Sequence, residues 1–245
     1  MKKISIILCT FNEVNFIEKA LRLINKKFKK SEIIIIDDNS KDGTLEKLKK
    51  VKKIKFKLFV RKNKRGLASA LAMGLNKSKG DYIGFFDTNM FDQVNYFKKA
   101  ILHLERGYDI SVLSRYVNGG GDKRVYLRNV TSYFINKISR FVLNVPLNDF
   151  TSGIFIAKKK VFRSVKISPV GHGEFAIDFI YKAYKKGLKI KEIPYVQKKD
   201  TNFTVSKSYP NLLKFLYLGF KYFLAILHIK FNNIKLLKKS LIKKN

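Results

Sequence analysis

Short apolar runs recur along the first half of the chain, each followed by a polar cluster and then by a segment of helical spacing. The runs are Ile4-Ser5-Ile6-Ile7-Leu8, Glu32 to Ile36 (EIIII), Lys57-Leu58-Phe59-Val60, Tyr82 to Phe86 (YIGFF) and Ile110 to Leu113 (ISVL). Continuous runs this short, rich in β-branched and aromatic residues, predict strands buried on both faces of a parallel sheet. Between them, Asn15 to Phe28 sets Phe16, Ala20, Leu23 and Ile24 along one stripe, and Gly66 to Leu75 and Phe97 to Leu104 repeat that spacing. The alternation predicts an open α/β sheet with right-handed crossovers. Ligands of such sheets bind outside the carboxyl ends of the strands.

Polar residues collect at those ends. Cys9-Thr10-Phe11-Asn12-Glu13 follows the first run, Asp37-Asp38-Asn39-Ser40-Lys41-Asp42-Gly43-Thr44 the second, and Asp87-Thr88-Asn89 the fourth. No G-x-G-x-x-G follows a strand and no G-x-x-x-x-G-K-[ST] occurs. Dinucleotide-binding dehydrogenases and P-loop ATPases are therefore disfavoured.

Composition narrows the partners. The 245 residues include 21 Phe and 12 Tyr, ample for a core, and one Cys and three His, which disfavours a disulfide framework or a Cys- or His-based metal site. The formal net charge is +34. Lys outnumbers Arg 43 to 9, so the bidentate base and phosphate readers typical of nucleic-acid binding are scarce. The chain is also rich in Ile, Asn and Phe, residues with AT-rich codons, so codon bias is an alternative source of the lysine excess. The charge implies general attraction to anions, which an anionic membrane satisfies, and no nucleic-acid partner is expected. No signal peptide is expected, because the apolar stretch after Met1-Lys2-Lys3 is too short. Nor is a membrane span, because Leu212 to Phe231 contains Lys214, Lys221, His228 and Lys230.

Several motifs in order carry a family resemblance: ILCTFNE, IIIDDNSKDGT, NKRGLASALAMGLNKSKGDYIGFFDTN, SRYVNGGG and NDFTSGIFIAKKKVF. Together they resemble the family 2 glycosyltransferases of GT-A fold, in the dolichol-phosphate mannosyltransferase-like (polyprenyl-phosphate glycosyltransferase) branch. The likeness covers roughly residues 4 to 207. It implies an α/β fold with an open mixed sheet flanked by helices, spanning 1–208, followed by an amphipathic basic segment over 209–245.

The resemblance also implies site residues. Cys9, Phe11, Glu13 and Asp38 fall where relatives bind the nucleotide, and Asp87, Thr88 and Asn89 occupy the metal-binding D-x-D position. Asp87 and Asn89 would hold Mg²⁺ or Mn²⁺ against the donor diphosphate. Asn in place of the second Asp removes one negative charge, and Phe91 stands where close relatives carry a glutamine, leaving Asp92 or Gln93 as substitutes. Arg115 and Arg128 match positions that face the acceptor phosphate and donor diphosphate, and Asp149 a position near the reacting sugar. Asp87, Arg115 and Asp149 are thus the catalytic candidates. Each has a structural alternative: Asp149 with Thr151 suits a side-chain-capped turn, Arg128 a solvated surface, Glu13 and Asp42 the start of a helix. Thr201 to Lys207 keeps the Ser-Lys of a donor-closing loop but lacks its Arg and Gly. Lys207 is the expected diphosphate clamp, with Lys198 or Lys199 in support.

The implied reaction is inverting transfer of a hexose, mannose or glucose, from a GDP- or UDP-sugar to polyprenyl or dolichyl phosphate at the cytoplasmic membrane face, by a peripheral protein. A phosphate acceptor is already ionised and needs no strong base, whereas a sugar hydroxyl would need one, from Asp149 or Glu174. Tyr209 to Phe231, dense in Leu, Phe and Tyr and followed by a polybasic tail, reads as an interfacial helix or as one packed on the sheet or in a dimer. The alternatives are a family 2 enzyme extending a glycan, and a degenerate homologue that binds nucleotide-sugar or membrane without turnover.

Overall fold

A computed structural model describes residues 2–168, 173–199 and 219–232. Its first half follows the hydrophobic pattern closely: β1 (Ile4–Thr10), α1 (Ile17–Lys27), β2 (Glu32–Asp37), α2 (Thr44–Lys50), β3 (Lys57–Val60), α3 (Leu67–Lys77) and β4 (Tyr82–Phe85). A 3-10 segment, Thr88–Tyr96, leads into α4 (Phe97–Glu105) and β5 (Ile110–Ser114). Then come β6 (Gly121–Asp122), α5 (Tyr126–Leu143), β7 (Phe155–Lys158), α6 (Val161–Ser164), α7 (Glu174–Lys185), β8 (Ile190–Pro194) and β9 (Val196–Gln197). Residues 219–232 form a further helix, α8.

Seven strands make one mixed sheet in the order β3-β2-β1-β4-β7-β5-β8, and β6 pairs with β9 beside it. All pairings in the large sheet are parallel except those of β7, which runs antiparallel between β4 and β5. Alternate residues of β1 face opposite layers, as a period of two requires. Ile7 joins the cluster under α3, α5, α7 and α8, while Ile6 and Leu8 join the cluster under α1, α2 and α4. β3, expected to be buried, is the sheet edge and half-exposed, because only β2 covers one of its sides.

Two glycines permit close approach. A Cβ on Gly84 would lie 2.4 Å from Phe97 Cε2, so its absence lets α4 sit against β4. A Cβ on Gly74 would meet Ile7 Cγ2 at 2.6 Å, fixing how near α3 comes to β1. In α8, Ile226 and Ile229 are buried in the main core with Tyr222 packed beside them, while Phe220, Phe223, Leu224 and Phe231 face outward.

Candidate active site

The parallel strands place the carboxyl ends of β2, β1 and β4 side by side, and with them the polar clusters of the sequence. The first two ends are stitched together. Asp37 at the end of β2 accepts hydrogen bonds from Thr10 Oγ1 (2.7 Å), Ser40 N (2.8 Å) and Ser40 Oγ (2.7 Å). Ser40 Oγ accepts from Asn12 N, and Asn12 Oδ1 from Lys41 N. Asn12 and Asn39 adopt φ of 59° and 60°, the left-handed region where Asn is among the few tolerated residues. Glu13 begins the turn into α1: its N–H donates to Thr44 Oγ1, and its carbonyl accepts from Phe16 and Ile17. Asp42 accepts from Thr44 N at the start of α2 and from Val14 N, so it organises the loop.

Asp38 is buried against partners that the sequence did not advertise. Arg61 Nε donates to its Oδ1 at 2.6 Å and Gly66 N to its Oδ2 at 2.8 Å. Arg61 also donates to Ser69 Oγ and Gly66 O, tying β3 to the start of α3. Nothing in the local pattern around Arg61 pointed to this role, because ion pairs across a crossover carry no sequence period. Phe11 is 42% exposed with the Arg65 guanidinium 4.4 Å from its ring centroid, a cation–π pair at the mouth of these loops.

Cys9 lies between the acidic ends. Burial, and then the charges of Asp87 and Asp38, push its thiol pKa well above the usual value, so it stays a neutral thiol. Thr88 Oγ1 donates to the Cys9 carbonyl at 3.3 Å, holding the Asp87-Thr88-Asn89 turn against β1. The half-buried Asn89 has an Oδ1 shielded from solvent that accepts no hydrogen bond among the described residues. An orphaned amide oxygen costs free energy unless something outside the protein fills it, and it is a hard oxygen donor of the kind Mg²⁺ and Mn²⁺ prefer. No group of three or more His, Cys, Asp or Glu that could hold a metal occurs among the described residues. The donor set therefore suits a cation shared with substrate phosphates, the usual habit of Mg²⁺. Phe91 is apolar and Asp92 pairs with Lys198, while Gln93 is buried with its Oε1 unpartnered among the described residues.

The second pole lies at the end of β5. Because β7 is antiparallel, the turn that precedes it reaches the same edge as the ends of β4 and β5. There Arg115 meets Asp149. Arg115 N and Nε donate to Asp149 Oδ2 (2.9 and 2.8 Å), and Nη2 donates to Asp149 Oδ1 (2.8 Å) and Thr151 Oγ1 (2.7 Å). Arg115 Nη1 faces Asp122 at 3.5 Å. Burial opposes the guanidinium charge most strongly, but Asp149, Tyr195 and Tyr116 together outweigh it and raise the pKa further. Thr151 N and Ser152 N also donate to Asp149, which gives it the capped-turn geometry. Asn136 on α5 donates to Thr151 Oγ1 and accepts from Phe150 N, and Glu192 on β8 accepts from Asn148 N and Asp149 N. Asn136 and Glu192 hold this turn, and sequence reasoning missed both. Arg128 is half-buried on α5, and Arg124 forks onto Asp122 (2.9 and 2.5 Å). Lys207 and Thr201 lie outside the described residues.

The open mixed sheet flanked by helices, with carboxylates and hydroxyls gathered at the carboxyl ends of its parallel strands, is GT-A like, as the likeness to solved structures shows. Residues 5–166 match the model of Glycosyl transferase family 2, and the chain belongs to that family. It is 29% identical over 199 residues to the dolichol-phosphate mannosyltransferase of Pyrococcus furiosus, covering 79% of this chain and 56% of that protein. It thus spans little more than half the length of that relative. To the polyprenol monophosphomannose synthase of Mycolicibacterium smegmatis it is 25% identical over 198 residues, 77% of this chain and 75% of the other. Among solved structures, glucosyl-3-phosphoglycerate synthase from Mycobacterium tuberculosis with UDP superposes with a TM-score of 0.70 at 16% identity, covering 94% of this chain and 80% of the other. The same enzyme with Mn²⁺, UDP and glucosyl-3-phosphoglycerate gives 0.68 at 16% identity, covering 93% and 80%. Identities this low show the shared fold alone.

Proposed function

We propose that this family 2 glycosyltransferase moves a hexose from a nucleoside-diphosphate sugar to a polyprenyl phosphate. The observation that carries this reading is the division of the strand-end site. Asp87 and the orphaned Asn89 oxygen form one pole, and the Arg115–Asp149–Asp122 cluster forms the other. The similarity to two enzymes named for dolichol-phosphate and polyprenol-monophosphate chemistry supports the acceptor class.

On this reading the nucleoside rests at the ends of β1 and β2. Phe11, with Arg65 over its ring, offers a flat face for the base, and Glu13 lines the rim. Asp38, fastened by Arg61 and Gly66, shapes the floor. Asp87 and Asn89 would hold Mg²⁺ or Mn²⁺, which when bound neutralises charge developing on the departing nucleoside diphosphate. The acceptor phosphate oxygen attacks the anomeric carbon from the face opposite the leaving group, and the bond to the diphosphate breaks with inversion. That oxygen is already an anion at neutral pH, so no side chain needs to take a proton. The requirement is cationic positioning of two phosphates in line. Arg115 is largely consumed by Asp149 and Thr151, so it organises this wall. Arg128, half-buried on α5, supplies further positive charge.

Label transfer from GDP- and UDP-hexoses to polyprenyl phosphate, with Mn²⁺, Mg²⁺ or EDTA, tests the reading beside Asp87→Ala. Metal-dependent lipid labelling, lost in the variant, is expected. Transfer to a soluble sugar in preference to the lipid phosphate overturns it.

A further inference from the structure

Three residues of one short stretch grip the segment that carries Asn89. Tyr195 lies between β8 and β9, Gln197 is on β9 and Lys198 follows it, and all three contact the 3-10 segment Thr88–Tyr96. The Tyr195 ring meets the Tyr96 ring edge-on at 6.1 Å, Gln197 Nε2 donates to Met90 Sδ at 3.3 Å, and Lys198 pairs with Asp92. Met90, the neighbour of Asn89, is where the segment leaves helical backbone, with φ of −108° and ψ of 31°. A break of this kind in a short 3-10 run marks a functional or strained position. Here it falls beside the orphaned amide oxygen.

The three contacts are unequal. Lys198 is 74% exposed along its side chain, so its pair with Asp92 contributes little. Sulfur is a weak acceptor, but the Gln197 amide is held in place for it. Tyr195 Oη donates to Gln197 Oε1 at 3.0 Å, which fixes the amide with Nε2 toward Met90. Burial pushes the Tyr195 phenol pKa up, so it stays a neutral hydroxyl donor.

The same stretch reaches the other pole. Tyr195 N donates at 3.1 Å to the carbonyl of Ser114, the residue before Arg115. Gly121 N donates to the Tyr195 carbonyl at 3.1 Å and Lys123 N to the Gln197 carbonyl at 3.0 Å. Those two bonds flank Asp122 on β6, which faces Arg115 at 3.5 Å. Residues 195–197 therefore join the Asp87-Thr88-Asn89 turn to the Arg115–Asp149–Asp122 cluster.

We propose that Tyr195 and Gln197 are positioning residues, which through Met90 set where the Asn89 oxygen stands and through β6 tie that place to the Arg115 pole. Neither is asked to touch substrate. The inference rests on the proposed function for what Asn89 holds, and its test needs no turnover.

Full-length protein is titrated with Mn²⁺ in the presence of UDP or GDP, and free Mn²⁺ is measured by electron paramagnetic resonance. Gln197→Leu and Met90→Leu should each weaken Mn²⁺ binding about threefold to tenfold, the range of one lost hydrogen bond. The double variant should be no weaker than either single one, because both remove the same link. Met90→Gln, which offers Nε2 a stronger acceptor, should bind at least as tightly as the unaltered protein. Val196→Ala, on the same strand, is the control and should leave Mn²⁺ affinity unchanged. The chain has three Met, so ¹³C-methyl NMR resolves Met90. Its methyl resonance should move in Gln197→Leu and Tyr195→Phe and stay in Val196→Ala. Unchanged Mn²⁺ affinity in Gln197→Leu, losses that add in the double variant, or a Met90 methyl indifferent to Gln197→Leu overturns the proposal. If the unaltered protein binds no Mn²⁺, the proposed function fails at its metal, and the Met90 methyl decides the positioning by itself.

Discussion

Removing the Asp149 carboxylate should destabilise the protein more than any other single side-chain change at the site. Asp149 is fully buried and accepts five hydrogen bonds, three from Arg115 and one each from Thr151 N and Ser152 N. In Asp149→Ala the buried guanidinium keeps, among the described residues, Asp122 at 3.5 Å, Thr151 and the ring of Tyr116. Stranding one member of a buried pair costs about 3–5 kcal/mol. For a chain of this size each kcal/mol lowers Tm by roughly 2–4 °C, so a fall on the order of 6–20 °C is expected. Urea titration and thermal unfolding at pH 7 measure it. The pair itself contributes less than the break costs, since desolvation offsets its attraction. Arg115→Met with Asp149→Leu should therefore recover much of the single variant's loss. A single-variant loss below about 1 kcal/mol, the range of an exposed pair, would refute the reasoning, as would a double variant no more stable than the single. Catalytically, Asp149→Asn should lower kcat, because a carboxylate this saturated serves to position Arg115.

Other outcomes follow from the same geometry. Asn89→Asp restores a carboxylate at the orphaned oxygen and should lower the Mn²⁺ concentration for half-maximal transfer several-fold, read by metal titration. Arg65→Ala removes the cation above Phe11 and should raise donor KM with little effect on kcat, a loss of about 0.5–1 kcal/mol of binding. Gly84→Ala forces a methyl against Phe97 and should cost about 1–3 kcal/mol in urea unfolding. Glu32 is a pH probe: burial raises its pKa, but Lys57, Ser5 Oγ and Lys79 N together bring it from 4.5 down to about 2. A depressed folded-state pKa gives stability that is present above the unfolded value and lost as pH falls through the folded one. The stability gap between the unaltered protein and Glu32→Gln should therefore close between about pH 4.5 and about 2.

By itself the sequence determined the local elements of the first half and the strand ends where the polar residues gather. Burial on both faces of a sheet demands continuous apolar runs, and crossovers demand helical spacing between them, so periodicity alone was enough to place β1 to β5 and the helices α1, α3 and α4, though not α2 or the edge position of β3. It also marked Asp87-Thr88-Asn89 and Arg115, because the motif order resembles that of family 2. What β7 does was not written in any local pattern. A strand inserted antiparallel between β4 and β5 is chosen by which partners it meets, and that insertion alone brings Asp149 to Arg115. The Arg61–Asp38 and Glu192–Asp149 contacts likewise join residues 23 and 43 positions apart, and their energy depends on burial and distance, which have no one-dimensional signature. The same holds for α5. Its apolar residues satisfy helical spacing whichever way the helix turns, and only the docking of Asn136, Ser139 and Leu143 onto the domain decided that Tyr126, Phe134 and Phe141 face outward.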